Sequence, residues 1–129
     1  MRWLVDGMNV IGSRPDGWWR DRAGAMARLA ADLDAWAASR PDDAVAMVFD
    51  GRPREIGIPP TPLERVDVGW APGGRDAADD VIAARVREDA DPGSLTVVTS
   101  DRELAARVRA RGASVEGARA FRARLYPDG

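Results

Sequence analysis

The chain has 129 residues, with 19 basic and 21 acidic side chains and a formal net charge of −2. That length supports one core and one domain, so residues 1–129 are expected to fold as a single unit. The near-neutral charge gives no sign of a strongly basic nucleic-acid binder. No apolar run approaches the roughly 20 residues needed to span a bilayer, so no membrane association is expected. An acid at position 6 breaks the opening apolar run, so no signal peptide and a cytoplasmic protein are expected.

Cys, His and Lys, the residue types that carry much of enzyme chemistry, are all missing. Their absence removes disulfides, thiolate nucleophiles, His-based triads, His- or Cys-ligated metals and Lys-dependent phosphate loops. All the basic residues are Arg, and 16 of the 21 acids are Asp. Any bound metal would be held by oxygen, which suits Mg2+ or Mn2+.

In chain order, residues 2–6 read as a buried strand ending in Asp6-Gly7, a turn signal. Residues 12–20 hold Gly and Pro and read as a loop. Residues 21–39 read as a helix, with Met26, Leu29, Leu33 and Trp36 at helical spacing. The apolar run 44–49 is a second strand, again ending in Asp-Gly at Asp50-Gly51. Residues 52–64 carry four prolines and read as a loop. A strand follows over 65–71, then a helix over 75–90 and a strand over 95–99. A helix over 101–111, a short strand over 113–116 and a helix over 118–125 complete the chain.

Strands alternating with helices predict an α/β fold, a three-layer α/β/α sandwich around a mainly parallel sheet. Ligands of such sheets bind beyond the carboxyl ends of the strands. Three strands end there in an acid, at Asp6, Asp50 and Asp101. Asn9 follows Asp6 closely enough for its amide to face the same pocket. On the helix over 75–90, Ile82, Ala83 and Val86 mark the buried stripe. Asp79 falls on that stripe, Asp76 at its margin and Asp80 toward solvent. A carboxylate on an apolar face is costly unless compensated, and a cation would compensate it.

Plainer roles compete. Asp-Gly is an ordinary turn, and Ser100-Asp101-Arg102-Glu103 fits a capping box with Ser100 as N-cap and Glu103 reaching back. Asp76 and Asp80 also suit a helix N-terminus. The joint placement of the acids, one per strand end plus one on a helix's inner face, singles out Asp6, Asp50, Asp79 and Asp101 as one metal-binding pocket.

The segment Asp6-Gly7-Met8-Asn9-Val10-Ile11 resembles the D-G-x-N-[VL]-I start of NYN domains, in particular their YacP-like branch. Ala77-Ala78-Asp79-Asp80-Val81-Ile82 is similar to that branch's T-A-D-[DS]-x-I helix start. Val97-Val98-Thr99-Ser100-Asp101-Arg102 is similar to its V-V-T-S-D-R strand end. Order and spacing agree over nearly the whole chain. Ala77 replaces the usual Thr, and Met8 replaces a common Tyr; neither change touches an expected metal ligand.

The resemblance implies a PIN-like fold and a metal-dependent (endo)ribonuclease that hydrolyses RNA phosphodiester bonds with Mg2+ or Mn2+. It assigns the catalytic roles to Asp6, Asn9, Asp79 and Asp101, with Ser100 in support; Asp80 matches a variable motif position, and it and Asp76 are supporting candidates by their place at the helix start. PIN-like relatives often dimerise, so the resemblance makes a homodimer an expectation. A basic rim would let RNA approach the acids, and Arg14, Arg20, Arg22, Arg52, Arg54 and Arg75 are the candidates. Trp18 and Trp19 are read first as a plug over the first helix and second as a base-stacking platform.

The competing reading is a catalytically inactive PIN-like module that binds RNA or the ribosome. A PIN-like toxin fits the Asp-Gly-Met-Asn start less well. An Asp-nucleophile phosphatase would need an acid at position 8, where Met8 stands.

Overall fold

The computed structural model describes residues 1–52, 63–74 and 76–128. Five strands, β1 (Arg2–Asp6), β2 (Ala44–Asp50), β3 (Val66–Ala71), β4 (Leu95–Val98) and β5 (Ser114–Glu116), form one sheet in the order β3-β2-β1-β4-β5. Every pairing is parallel, so the expected mainly parallel sheet is parallel throughout the described residues. The helices are α1 (Gly7–Gly12), α2 (Arg22–Ala38), α3 (Ala77–Glu88), α4 (Arg102–Arg109) and α5 (Ala118–Leu125). Single 3-10 turns precede α2 and β4, at Trp18–Asp21 and Pro92–Ser94.

Alternation along the strands sorts the side chains into two cores. Trp3, Val5, Val45, Met47 and Phe49 pack against α1, α2 and α5. Leu4, Val48, Leu95 and Val97 pack against α3 and α4. Both faces are covered, which is why β1, β2 and β4 read as continuous apolar runs. On the first face Trp3, Trp36 and Phe121 meet with ring centroids 5.2–5.7 Å apart, pinning α2 and α5 to the central strand.

One polar side chain on α2 sets the sheet's edge. The Asp34 carboxylate accepts hydrogen bonds from the backbone N–H groups of Glu64, Arg65 and Val66, the last two at 2.7 and 3.0 Å. Those bonds hold the Asp34 pKa below the ordinary carboxylate value against a desolvation that opposes them. The start of β3 is thereby tied to α2.

Two local expectations change. Asp6-Gly7 does not make a turn, because α1 starts at Gly7 directly after β1. Gly7 is required there for space: a Cβ on it would lie 2.5 Å from the Phe49 ring. The segment 12–20, expected as a loop, contains the 3-10 turn that feeds α2. Among the described residues no helix is long and apolar enough to cross a membrane.

Candidate active site

Strand order reverses at β1. From it the chain builds outward through β2 and β3, then returns to the other side for β4 and β5. The carboxyl ends of β1 and β4 therefore flank a topological switch point, where such sheets bind ligands. Asp6 ends β1 and Asp101 follows β4 by three residues.

Register decides which side chains meet. Val5 pairs with Val98, so the next residues, Asp6 and Thr99, stand side by side. Both continue the side-chain series that faces α3 and α4, as does Asp50 at the end of β2. Asp6 is level with Val48, so Asp50 lies one pleat further, about 7 Å along the strand.

Asp6 is 4 % exposed. Its Oδ2 accepts the Thr99 hydroxyl at 3.1 Å, and the Thr99 Oγ1 accepts the Asp101 backbone N–H at 3.1 Å. Burial pushes the Asp6 carboxyl up to about 7. The charges of Asp79 and Asp50 push the same way, while the Thr99 hydroxyl and the Asn9 backbone amide oppose.

Asp79 sits half-buried in the first turn of α3, one turn before Ile82, as the helical spacing requires. Burial raises its pKa to about 6, with Asp101, Asp76 and Asp50 adding repulsion. Asp50 is held by a 2.8 Å hydrogen bond from the Ala78 N–H, so the end of β2 grips the start of α3. Asp76 occupies the N-cap position of α3 in a left-handed conformation, φ 65°, with no hydrogen bond from its side chain to the helix, two positions after the positive-φ Gly74. Asp is among the few non-glycine residues found in this conformation, and the Asp76 carbonyl accepts the Asp79 N–H at 3.1 Å.

Asp80 turns away. It is exposed and pairs with Arg107 of α4 at 2.9 Å, outside the acid group. Among the described residues no three carboxylates converge closely enough to form a ready metal cage. The acids are brought to one edge and coupled through their charges.

The capping box at Ser100 does not form as expected. Asp101 is the N-cap of α4, its Oδ1 accepting the Leu104 N–H at 3.0 Å. The β4–α4 connection is short enough that the residue after Ser100 takes the cap. Ser100 looks outward instead, its Oγ accepting the Ala118 N–H at the start of α5, 2.8 Å away. Asn9 closes the arrangement. From α1 its Oδ1 accepts the Ser100 backbone N–H at 2.7 Å. Asn9 therefore ties α1 to the loop that carries Thr99 and Asp101.

The basic rim divides. Arg22 and Arg52 line a cleft of about 550 Å³ with Met8, Trp18 and Asp50, and Arg22 donates to the Asp50 carbonyl at 3.1 Å. Arg20 is exposed on the turn before α2. Arg14 lies elsewhere, in a cavity between α1, α2 and α5. Arg54 and Arg75 lie outside the described residues. Two arginines that are not among the rim candidates, Arg102 and Arg109, flank the cleft that Asp101 opens into. Their helical spacing of seven was the available signal. Trp18 packs against the first core as the plug reading expects, whereas Trp19 is 58 % exposed.

The family model of the YacP-like NYN domain matches residues 3–126. Two crystal structures of Rae1 (YacP) from Bacillus subtilis, one of them a mutant, superpose with TM-scores of 0.72 and 0.71 at 22% identity. The matches cover 98% of this chain and 75% and 74% of those chains. No curated protein matches the chain.

Proposed function

Because the chain belongs to the YacP-like NYN domain family, a PIN-like nuclease class, we propose that it is a metal-dependent ribonuclease that hydrolyses RNA phosphodiester bonds at the carboxyl edge of its sheet. The observation that carries this is the charge coupling of Asp6, Asp50, Asp79 and Asp101 at the switch point, with Asp6 and Asp79 held well above ordinary carboxylate pKa values.

The donor set fits a hard divalent cation. It is oxygen only, and it carries repulsion that a cation would relieve. Asp6, Asp50, Asp79 and Asp101 are the residues that would hold Mg2+ or Mn2+, and because no three of them converge as they stand, their side chains would have to draw together around the ion. When bound, the ion supplies Lewis acidity toward a phosphate and its attacking water. The protein does the rest by placement. Thr99 fixes the Asp6 carboxylate, and through its Oγ1 also the Asp101 backbone. Asn9 and Ser100 hold the β4–α4 loop between α1 and α5 and act as positioning residues. Arg22 and Arg52 offer guanidinium groups to backbone phosphates beside Asp50. Asp76 sets the start of α3 and hence the position of Asp79. Asp80 contributes only the surface pair with Arg107.

The test is cleavage of labelled single-stranded, hairpin and duplex RNAs and matched DNA, with Mg2+, Mn2+ or excess EDTA, for wild type beside Asp79→Asn. RNA cutting that needs metal and disappears in the variant is the expected result. Retained RNA binding with no cutting under either metal would overturn the enzyme reading in favour of a non-catalytic RNA-binding module.

A further inference from the structure

The cavity that takes Arg14 lies on the opposite face of the sheet from α3, between α1, α2 and α5. Its floor is apolar, formed by Val10, Ile11 and Leu29. Two aromatic side chains, Trp18 and Tyr126, stand at its wall, and three guanidinium groups, Arg14, Arg28 and Arg122, surround it. Its volume of about 220 Å³ is under the roughly 300 Å³ of the smallest ordinary ligand pockets, so it admits one planar ring and little more.

Its two acids are already engaged. Asp16 lies 3.9 Å from Arg14, and Asp32 accepts the Tyr126 hydroxyl at 2.5 Å. Arg122 lies over the Tyr126 ring at 5.5 Å. Among the described residues Arg28 makes no hydrogen bond or ion pair. An apolar floor, aromatic walls and an uncommitted guanidinium match a nucleotide, with a base to stack and a phosphate to pair.

The cavity also has a connection. Trp18 lines both it and the cleft that holds Arg22, Arg52 and Asp50. A strand lying in that cleft reaches the cavity by passing over one side chain. We propose that this cavity binds one unpaired nucleotide of a single-stranded RNA, flanking the phosphate presented to the acids. The base packs against Trp18 and Tyr126, and Arg28 and Arg122 pair with the adjoining phosphate. The assignment rests on the ribonuclease reading for the identity of the ligand. The cavity adds a requirement for unpaired sequence and for a minimum length on one side of the cut.

The test is binding, measured in EDTA so that it does not depend on cleavage. Fluorescein-labelled single-stranded RNAs of three and ten nucleotides, and a ten-base-pair duplex, are titrated by anisotropy. Wild type is compared with Arg28→Ala, with Arg28→Glu/Arg122→Glu, and with the surface control Arg87→Glu; circular dichroism checks folding. Arg28 is exposed, so its truncation leaves the core intact. Stacking and pairing of one nucleotide predict about a tenfold or larger loss for the ten-mer in the double variant. Arg28→Ala should give a smaller loss, and the trimer and the Arg87→Glu control should change less than about twofold.

Ten-mer binding equal in wild type and double variant, or no ten-mer binding by wild type, overturns the proposal. So does an equal loss for the duplex. Full displacement of the ten-mer by inorganic phosphate alone would mark a simple anion site and overturn the nucleotide assignment. A length-dependent binding loss without any metal-dependent cleavage would keep the cavity and discard the nuclease.

Discussion

Replacing Asp6 by Asn separates stability from function. Asp6 is nearly fully buried and its carboxyl is pushed up to about 7 from 3.8. Between those values the unfolded chain gives up this proton while the folded chain keeps it. Stability of the metal-free protein therefore falls as pH rises from about 4 to 7, and the full penalty persists above 7. At about 1.36 kcal/mol per pKa unit, the ceiling is about 4 kcal/mol. An amide carries no charge to bury, and its oxygen can still accept the Thr99 hydroxyl. Asp6→Asn should equal the wild type in stability near pH 4 and exceed it by up to about 4 kcal/mol at pH 8. Urea denaturation in EDTA at pH 4, 6 and 8 measures the difference directly; titrating groups distant from Asp6 cancel between the two proteins, while Asp79 and Asp50, whose charges face it, contribute to the difference. Mn2+ added at pH 8 should raise the wild-type midpoint and leave the variant nearly unmoved. A variant whose stability difference from wild type is the same at all three pH values would refute the reasoning, since burial and repulsion of Asp6 would then not be what the fold opposes.

Three further substitutions probe the supports around this acid. Thr99→Val removes both the hydroxyl donated to Asp6 and the oxygen that accepts the Asp101 N–H; a loss of about 1–3 kcal/mol in chemical denaturation is expected, with reduced RNA cleavage. Gly7→Ala drives a methyl into the Phe49 ring and should cost about 1–3 kcal/mol, seen as a lowered Tm; an unchanged Tm would mean that the ring moves aside freely. Asp80→Asn breaks only an exposed pair with Arg107, so stability should change by less than about 1 kcal/mol and cleavage of the RNA panel should match wild type.

Much of this arrangement is legible in the residues, because it depends on short-range periodicity. The runs at 2–6, 44–49 and 95–99 announce buried strands and bring Asp6, Asp50 and Asp101 to one edge, whereas the place of Thr99 beside Asp6 depends on the register of β1 with β4. Helical spacing puts Asp79 beside Ile82, where the structure has it. The misreadings share a different cause: each depends on a partner distant in sequence. Gly7 looks like a turn residue because the reason for it, the Phe49 ring, comes 42 positions later. Ser100 has the local pattern of a cap for the helix after it, yet its hydroxyl serves α5, 18 residues on. Asn9 stands beside Asp6 as its spacing suggests, with its backbone amide toward that carboxylate, but the partner of its side-chain oxygen, Ser100, lies 91 residues away. Arg14 follows the end of α1, and the course of that helix carries it to the other side of the sheet.

The three bonds that Asp34 makes to Glu64, Arg65 and Val66 act as a fixed index mark for everything downstream. From Val66 the pairing with β2 runs residue by residue to Ala71 opposite Asp50, and the next helix delivers Asp79. An insertion on the N-terminal side of Glu64 leaves that count untouched, because the same carboxylate seizes the same three amides. One extra residue between Val66 and Ala71 would instead turn each later side chain of the strand to the opposite face and displace the start of α3 from Asp50. Divergent sequences of this shape are thus free to vary in length before the mark and constrained to keep it after.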